Sequence, residues 1–341
     1  MSRDDRIAMR HGAGGPAMRE LVQSVFARSA GGEVEDSVGL HQLDDGAALR
    51  MGDRWLVYTT DAHVVKPAFF PGGDIGRLAV SGTVNDLAMM GATQPIGLAC
   101  AIVIEEGFER AALVRLQDSI EQACAEAGTS IETGDTKVMG RGEVDGVVIT
   151  TTGLGFTDRL VRDDGLRPGD EILVTGPIGD HGFAVLAERH ELELGGDLRS
   201  DVAPLNHLVD CALEAGGDAV VAMKDPTRGG VAGALHEMAG KAGVGVVLEE
   251  AALPVRPAVR AASELLGIDP LHVANEGKAV LGVRPEEAKR VLEALRAHPL
   301  GRGAARIGRC LEDTAHRIVL DTGFGRRLVA ESDGELLPRI C

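Results

Sequence analysis

The sequence has few aromatic residues, few basic residues for its acidity and no paired cysteines, and each shortage excludes a class of protein. One Trp, one Tyr and seven Phe occur in 341 residues, so the core must be mainly aliphatic. Lys and Arg number 35 against 52 Asp and Glu, a formal net charge of −17. Such a charge repels nucleic-acid backbones and anionic membranes. We therefore expect no nucleic acid and no membrane among the partners.

The cysteines are scattered, without the Cys-x-x-Cys spacing of a zinc site or the pattern of a disulfide framework. Four lie in apolar contexts typical of a core: Cys100, Cys124, Cys211 and Cys310. Cys341 differs because it is the last residue. Residues 1–10 are charged and no apolar run is long enough to span a bilayer, so we expect no secretion signal and a cytoplasmic location.

The composition that remains is typical of a soluble α/β protein, with 44% hydrophobic residues and 46 glycines. A chain of this length suits two domains. The segment 163–170, rich in Gly, Pro and charge, precedes an apolar run and predicts a boundary. We place the domains at 1–160 and 161–331. Residues 332–341 lack periodicity and contain Pro338, which predicts a flexible tail.

Hydrophobic periodicity predicts strands alternating with helices, the pattern of an α/β or α+β fold. In the first domain we predict strands at 55–60, 97–104 and 147–156, and helices at 74–90 and 110–127. In the second we predict a strand from 171, a helix from 226, a strand at 243–250, a helix at 286–297 and a strand at 317–321.

Acidic and amide side chains recur at the ends of these elements. Asp45 follows Asp44 in a loop, Asp61 ends a strand, Asn85 and Asp86 lie in a helix, and Asp135 lies in a Gly-bounded segment predicted as a loop. Such oxygens are the ligands of Mg²⁺ bound with nucleotide phosphates. Asp is also favoured as a helix cap, so either role fits each residue taken alone.

A second candidate phosphate site lies in the segment KDPTRGG. Asp225 and Thr227 come just before a helix whose unpaired N–H groups could face a phosphate. A plain helix cap with Pro near the first turn is the alternative, and both roles can hold together.

Taken together, these motifs resemble the superfamily typified by aminoimidazole ribonucleotide synthetase, across nearly the whole chain. The segments that carry the resemblance are DDGAA at 44–48, TTDAH at 59–63, GGDIGRLAVSGTVNDLAMMGA at 72–92, TGDTKV at 133–138, GPIGDHG at 176–182, KDPTRGG at 224–230 and NEGK at 275–278. Within the superfamily, HGAGG at 11–15 and the final PRIC are typical of the HypE family of hydrogenase maturation carbamoyl dehydratases. A lone Gly cluster can also be a simple turn.

The resemblance implies a two-domain α/β (α+β) fold with an N-terminal domain that binds ATP and dimerises. It implies ATP-dependent dehydration of a carbamoyl group on Cys341 to a thiocyanate, which supplies cyanide for the iron of [NiFe]-hydrogenase. Either Lys137 or Glu276 would accept the proton. The nucleotide residues it implies are Gly12, Gly14, Gly15, Asp45, Asp61, Asn85, Asp86, Asp135, Thr136, Asp225 and Thr227, with Mg²⁺ held by Asp45, Asp61, Asp86, Asp135 and Asp225.

The implied partners are the carbamoyltransferase HypF, the HypC–HypD iron scaffold complex and a second copy of the chain. Alternatives remain open. Lys137 and Glu276 could be ordinary solvated charges. The protein could be a selenophosphate synthetase, a thiamine monophosphate kinase or a non-catalytic maturation scaffold. Against the first, no Cys lies near the N-terminal Gly cluster, and none of the three needs Cys341.

Overall fold

The first half of the chain forms a six-stranded sheet covered by helices. The computed structural model describes residues 6–27, 36–192, 194, 197–332 and 339–341. Its strands are β1 (Ser37–Val38), β2 (Ala47–Met51), β3 (Arg54–His63), β6 (Pro95–Glu105), β7 (Ile131–Met139) and β8 (Val147–Thr157), in the order β1-β2-β3-β8-β6-β7. The helices are α1 (Pro16–Leu21), α2 (Ile75–Met89) and α3 (Arg110–Ala127), and β4 (Phe69–Phe70) pairs with β5 (Gly73–Asp74).

The second half forms a seven-stranded sheet in the order β10-β12-β9-β13-β11-β14-β15. Its strands are β9 (Glu171–Val174), β10 (Val220–Lys224), β11 (Gly245–Glu249), β12 (Val280–Val283), β13 (Ala305–Leu311), β14 (Ile318–Asp321) and β15 (Arg326–Leu328). Its helices are α4 (Asp180–Arg189), α5 (Asn206–Gly216), α6 (Gly230–Ala242), α7 (Pro257–Leu266) and α8 (Pro285–Ala297). In the part of the chain that the structure describes, no helix combines the length and apolarity needed to cross a bilayer.

Helix α2 is the central element because it packs on both halves of the molecule. Its N-cap Asp74 accepts hydrogen bonds from the N–H groups of Gly76 and Arg77, at 2.8 and 3.0 Å. Along β8 burial alternates from residue to residue, so one face of that sheet packs on α2. On its other side, α2 places Met89 in a cluster with Leu173 and Leu205 of the second half.

The structure confirms most of the predicted helices and strands whose sequences have strong apolar periodicity. The helix predicted at 110–127 is α3, and the one predicted at 286–297 is α8. The loop predicted around Asp135 is wrong, because Asp135 lies in β7. Every residue of β7 after Ile131 is exposed, so the strand has no alternation of apolar and polar residues that could reveal it. The domain limits 1–160, 161–331 and 332–341 stay predictions.

Candidate active site

A cavity of about 590 Å³ lies between the two halves of the chain. Eight of the residues predicted to have a functional role line it: Gly14, Asp45, Asp61, Asp86, Asp225, Thr227, Glu276 and Cys341. Gly14 comes from the N-terminal segment, Asp45 from the loop before β2, Asp61 from β3 and Asp86 from α2. Asp225 and Thr227 follow β10, Glu276 precedes β12, and Cys341 is the last residue. Such convergence of polar groups from distant segments is typical of a ligand site.

The carboxylates of the cavity crowd one another. Burial, followed by the charge of Asp225, raises the pKa of Asp86 well above its usual range, although Thr59 donates a hydrogen bond to it at 2.8 Å. Burial and then Asp45 raise the pKa of Asp225 well above its usual range. Burial, followed by Asp163 and Asp45, raises the pKa of Asp44 to about 7. The cavity therefore has more negative charge than its own cations offset, and it favours a bound cation.

The buried cation of this region is Lys224, at the end of β10. Its Nζ pairs with Asp45 and lies 3.4 Å from Glu237 and 3.6 Å from Asp163. These neighbours raise the pKa of Lys224 well above its usual range in spite of burial. Lys241 also pairs with Asp163. Lys224 thus holds one oxygen of Asp45, while Asp45 Oδ2 has no hydrogen-bond partner within the described ranges.

The N-terminal Gly cluster forms a wall of the cavity. Gly14 has a φ of +77°, and a Cβ there would lie 2.8 Å from Arg228 Cβ. The Arg228 guanidinium donates to the Gly12 carbonyl at 3.2 Å. Apolar side chains from the same region also line the cavity, namely Met18, Val22, Leu40 and Leu43. The cavity therefore combines an apolar surface with an acidic one, as a nucleotide site requires.

Glu276 contributes a deeply buried carboxylate. It is 2% exposed, and its Oε1 lacks a hydrogen-bond partner among the described residues. Burial, followed by the charges of Asp225 and Asp61, raises the pKa of Glu276 well above its usual range. Its backbone N–H donates to Asp201 at 3.1 Å. Glu276 is thus a fixed group of raised proton affinity beside the acidic cluster.

Cys341 enters the cavity of its own chain. Its carbonyl accepts from the N–H of Val64 at 3.1 Å, and the Arg339 carbonyl accepts from the N–H of Lys66 at 3.2 Å. Ile340 is 3% exposed, in the cluster beneath α2. We expected a free tail for 332–341. Residues 333–338 lie outside the described ranges, whereas residues 339–341 are docked by main-chain hydrogen bonds, by the buried Ile340 side chain and by an ion pair from Arg339 to Asp145. A search for periodicity does not detect such contacts.

Three predicted nucleotide residues lie next to the cavity but do not line it. Asn85 is buried, where its amide donates to the carbonyls of Ala203 and Glu276, at 3.2 and 3.3 Å, and accepts from the N–H of Leu205 at 2.7 Å. Its structural role is therefore to join α2 to the second half. Gly12 and Gly15 flank the Gly14 wall, and Gly15 is the N-cap of α1.

Asp135, Thr136 and Lys137 do not line the cavity of their own chain. They lie on β7 at the edge of the first sheet, where Lys137 Nζ pairs with Asp135 at 2.8 Å and both side chains are more than half exposed. Lys137 and Glu276, predicted at one reaction centre, are therefore not brought together within a single chain.

The donor set fits Mg²⁺ that arrives with phosphates better than it fits an ion held by protein alone. Among the described residues, no three His, Cys, Asp or Glu side chains could hold a metal ion by themselves. Mg²⁺ in nucleotide sites uses one or two carboxylates plus phosphate oxygens and water. The unpartnered Asp45 Oδ2 and the crowding at Asp86 and Asp225 suit that arrangement.

Sequence reasoning missed several residues of the cavity, chiefly Lys224, Arg228 and Tyr58. Lys224 had a signal, because a charge at the end of the apolar run VVAM is unusual for a buried strand. The only feature of the sequence that drew attention to Tyr58 is that it is the single Tyr of the chain. For Arg228 no signal distinguished it from a surface Arg.

The two-sheet fold and the acidic cavity between its halves agree with the comparison with known proteins, which defines the class of the chain. Residues 43–157 match the N-terminal domain of AIR synthase related proteins, and residues 167–321 match their C-terminal domain. Carbamoyl dehydratase HypE of Cupriavidus necator is 50% identical over 98% of this chain and 95% of the relative.

Two solved structures are also similar. The HypE of a HypE–HypF complex superimposes with a TM-score of 0.85 at 41% identity, covering 92% of this chain and 99% of that one. A HypE in complex with ATP gives a TM-score of 0.81 at 41% identity, covering 98% and 100%. The chain belongs to the HypE family of carbamoyl dehydratases within the AIR synthase related proteins. The family and the α/β fold expected from the sequence are confirmed.

Proposed function

We propose that this protein uses ATP to dehydrate a carbamoyl group on Cys341, leaving a thiocyanate on the sulfur that supplies cyanide for a [NiFe]-hydrogenase iron. One observation carries the proposal: Cys341 lines the same cavity as Glu276 and the acidic cluster. Its relatives include a protein named carbamoyl dehydratase and a HypE solved in complex with ATP, and both support the proposal.

The chemistry follows from this arrangement. The carboxamide oxygen on Cys341 attacks the γ-phosphorus of ATP and the bond to ADP breaks, which converts a poor leaving group into phosphate. One N–H proton is lost as the imidate forms, and the other is lost as phosphate leaves and the C≡N bond forms. We assign proton acceptance to Glu276, because it shares the cavity with Cys341 and its pKa is raised.

Asp45, Asp61, Asp86 and Asp225 are the residues of this chain that would hold Mg²⁺ together with the nucleotide. The ion would supply positive charge to the transferring phosphoryl group. Met18, Val22, Leu40 and Leu43 offer an apolar surface for the base, and Arg228, braced by Gly12, offers a positive charge.

We also propose that two copies pair through their N-terminal sheets, so that β7 of the partner supplies Asp135, Thr136 and Lys137 to the cavity. Three observations support pairing. The face of the sheet that carries Tyr58 and its register partner Leu154 leaves both side chains exposed, at 39% and 42%. Strand β7 is an open edge with Val138 69% exposed. The Asp135–Lys137 ion pair is exposed on the same edge strand.

The proposed function requires the tail to occupy two positions, one outside the cavity and one inside it. Both positions fit the partners that we propose. HypF would carbamoylate Cys341 with the tail out of the cavity, since the docked residue is half-buried. The HypC–HypD complex would accept the cyanide afterwards. Selenophosphate synthetase, thiamine monophosphate kinase and scaffold functions are less well supported, because none of them explains a cysteine that lines the same cavity as the acidic cluster.

The deciding experiment follows the mass of the peptide that carries Cys341. Incubation with the carbamoylating partner should add one carboxamide, and ATP with Mg²⁺ should then remove one water from the same peptide. Cys341→Ala should bind ATP and unfold as the wild type does, because the half-buried Cys341 side chain is small and the buried Ile340 is unchanged, yet it should form no product. Thiocyanate from Cys341→Ala, or a modification on Cys211, would contradict the proposal.

A further inference from the structure

The segment GPIGDHG contains a buried histidine that the proposed chemistry does not use. His181 is the second residue of α4, is 0% exposed and packs edge-on against the Phe70 ring, with centroids 5.4 Å apart. A buried imidazole needs partners for both nitrogens. One of its two partners, the Ile340 carbonyl, belongs to the docked tail, and the other is the Ser200 hydroxyl.

The two hydrogen bonds of His181 fix which nitrogen holds the proton. Nε2 lies 2.8 Å from the Ile340 carbonyl oxygen, which can only accept, so Nε2 must carry the hydrogen. Nδ1 lies 2.8 Å from Ser200 Oγ. Ser200 Oγ already accepts from the N–H of Val202 at 3.1 Å, so its own hydrogen is available to Nδ1. The chain of donors runs from Val202 through Ser200 and His181 to the tail.

The surroundings keep this imidazole neutral. Burial lowers the pKa of His181, against smaller opposing effects of Asp201 and the Ile340 carbonyl. Of the other charges that face this region, Lys278 pairs with Asp201 at 3.0 Å and Arg256 lies 3.3 Å from Asp180. A neutral ring with one donor and one acceptor matches its two partners without a surplus hydrogen.

We propose that His181, oriented by Ser200, is the positioning residue that holds the Ile340 carbonyl and thereby sets the Cys341 sulfur in the cavity. The catalytic role of this positioning rests on the proposed function. The contacts that hold residues 339–341, which we call the dock, belong to the fold itself. Cys341 follows Ile340 directly, so a fixed Ile340 carbonyl leaves the thiol only the freedom of one residue.

The remaining contacts indicate a dock that accepts every chemical form of the tail. Arg189, at the other end of α4, donates to the Arg339 carbonyl at 2.6 Å, and the N–H groups of Val64 and Lys66 bind the Cys341 and Arg339 carbonyls. All of these contacts go to the main chain of the tail, while the Arg339 side chain also donates to the Val64 carbonyl at 3.2 Å and pairs with Asp145. None of these contacts uses the Cys341 side chain. The thiol, the thiocarbamate and the thiocyanate can therefore occupy the same dock.

Alkylation of the full-length protein tests the dock without requiring activity. Iodoacetamide labelling is followed by mass spectrometry at each cysteine. Loss of one buried hydrogen bond should undock the tail enough to speed labelling of Cys341 by about three- to tenfold in His181→Ala. Cys100 and Cys124, which are buried, should stay unlabelled and so report that the fold is intact. Ser200→Ala should give a smaller increase.

The controls separate positioning from general stability. His190→Ala changes an exposed histidine at the end of the same helix and should label as the wild type does. His181→Gln retains a side-chain N–H and should recover part of the protection. Unchanged Cys341 labelling in His181→Ala, or labelling of Cys100 and Cys124 in step with Cys341 and without rescue by Gln, would overturn the inference.

A second measurement links the dock to the reaction. In carbamoylated His181→Ala, water loss in a single turnover should slow in proportion to the undocked fraction, while carbamoylation by the partner should keep its wild-type rate. A wild-type protein that loses no water would refute the proposed function, whereas the labelling result would still stand or fall separately. Normal water loss from a fully undocked variant would refute the positioning role.

Discussion

At the scale of single residues, chemically similar carboxylates of the cavity have different surroundings, and we infer different roles for them. Glu276 and Asp86 are both carboxylates with raised pKa values, yet only Glu276 is buried to 2% with an oxygen lacking a partner among the described residues. Asp86 accepts a hydrogen bond from Thr59 and lies in the acidic cluster. We therefore assign proton transfer to the first and cation binding to the second.

Glu276→Gln tests this division. The amide retains the size of the side chain but cannot accept the proton, so we expect carbamoylated Cys341 to accumulate and water loss to slow by roughly 10²-fold or more. The measurement is the mass of the Cys341 peptide during a single turnover with ATP. Glu293→Gln, on the exposed face of α8, is the matched control and should behave as the wild type. Rapid thiocyanate formation by Glu276→Gln would move the base elsewhere.

Asp44→Asn tests the crowding of the carboxylates through pH. The pKa of Asp44 is about 7 in the folded protein and near 3.9 in an unfolded chain, so the folded state binds this proton more tightly. Stability is then lost as pH rises from about 4 to about 7. Without nucleotide, Asp44→Asn should raise the free energy of unfolding by about 1–3 kcal/mol more at pH 8 than at pH 5.

Urea unfolding at the two pH values measures this effect. The exposed Asp53→Asn serves as control and should show no such difference. An equal change at both pH values in Asp44→Asn would show that crowding does not destabilise the charged form.

At the scale of elements, helices and strands with strong apolar periodicity could be predicted from the sequence. An element without such periodicity, strand β7, could not. Helix α3 was predicted to the residue, because Leu116, Ile120, Ala123 and Ala127 recur at helical spacing on its buried face. Strand β7 was missed because it is exposed along its length. The candidate site was partly predicted, since Asp45, Asp86 and Asp225 stand in recognisable motifs. The tail dock was not predicted, because its main-chain hydrogen bonds and the single buried Ile340 leave no periodic pattern in the sequence.

The Gly cluster before α1 offers a test at this scale. In Gly14→Ala the new Cβ would meet Arg228 in addition to the cost of a positive φ, which is about 1 kcal/mol. We expect the displaced Arg228 to weaken ATP binding by at least about tenfold, which is 1.4 kcal/mol. Gly52→Ala is the matched control, since Gly52 has a φ of +64° with open space around its Cβ.

Calorimetric titration with ATP and Mg²⁺ compares the two variants. Gly52→Ala should lose only the stability that the positive φ costs, about 1 kcal/mol, and keep its affinity for ATP. Equal affinities in both variants would mean that the Gly14 wall does not contact the nucleotide.

At the scale of the whole molecule, the site residues predicted on β7 are missing from the cavity of their own chain. Cys341, Glu276 and four of the five predicted Mg²⁺ ligands line one cavity, whereas Asp135, Thr136 and Lys137 lie on an exposed edge. A pair of chains related by twofold symmetry would bring each edge strand to the other chain's cavity in the same way. In such a dimer each β7 edge strand would form part of the partner's site.

Mixing two inactive variants tests that arrangement. We expect Lys137→Ala and Glu276→Gln each to stop water loss. In a mixed dimer, one cavity has the wild-type Glu276 of the first variant together with the wild-type Lys137 of the second, and the other cavity has neither. Random exchange of equal amounts should therefore restore about a quarter of the wild-type activity, because half of the dimers are mixed and each has one intact site. Sedimentation should show the dimer under the same conditions. Exchange that restores no activity, in a protein shown to be dimeric, would contradict the placement of Lys137 in the partner's cavity.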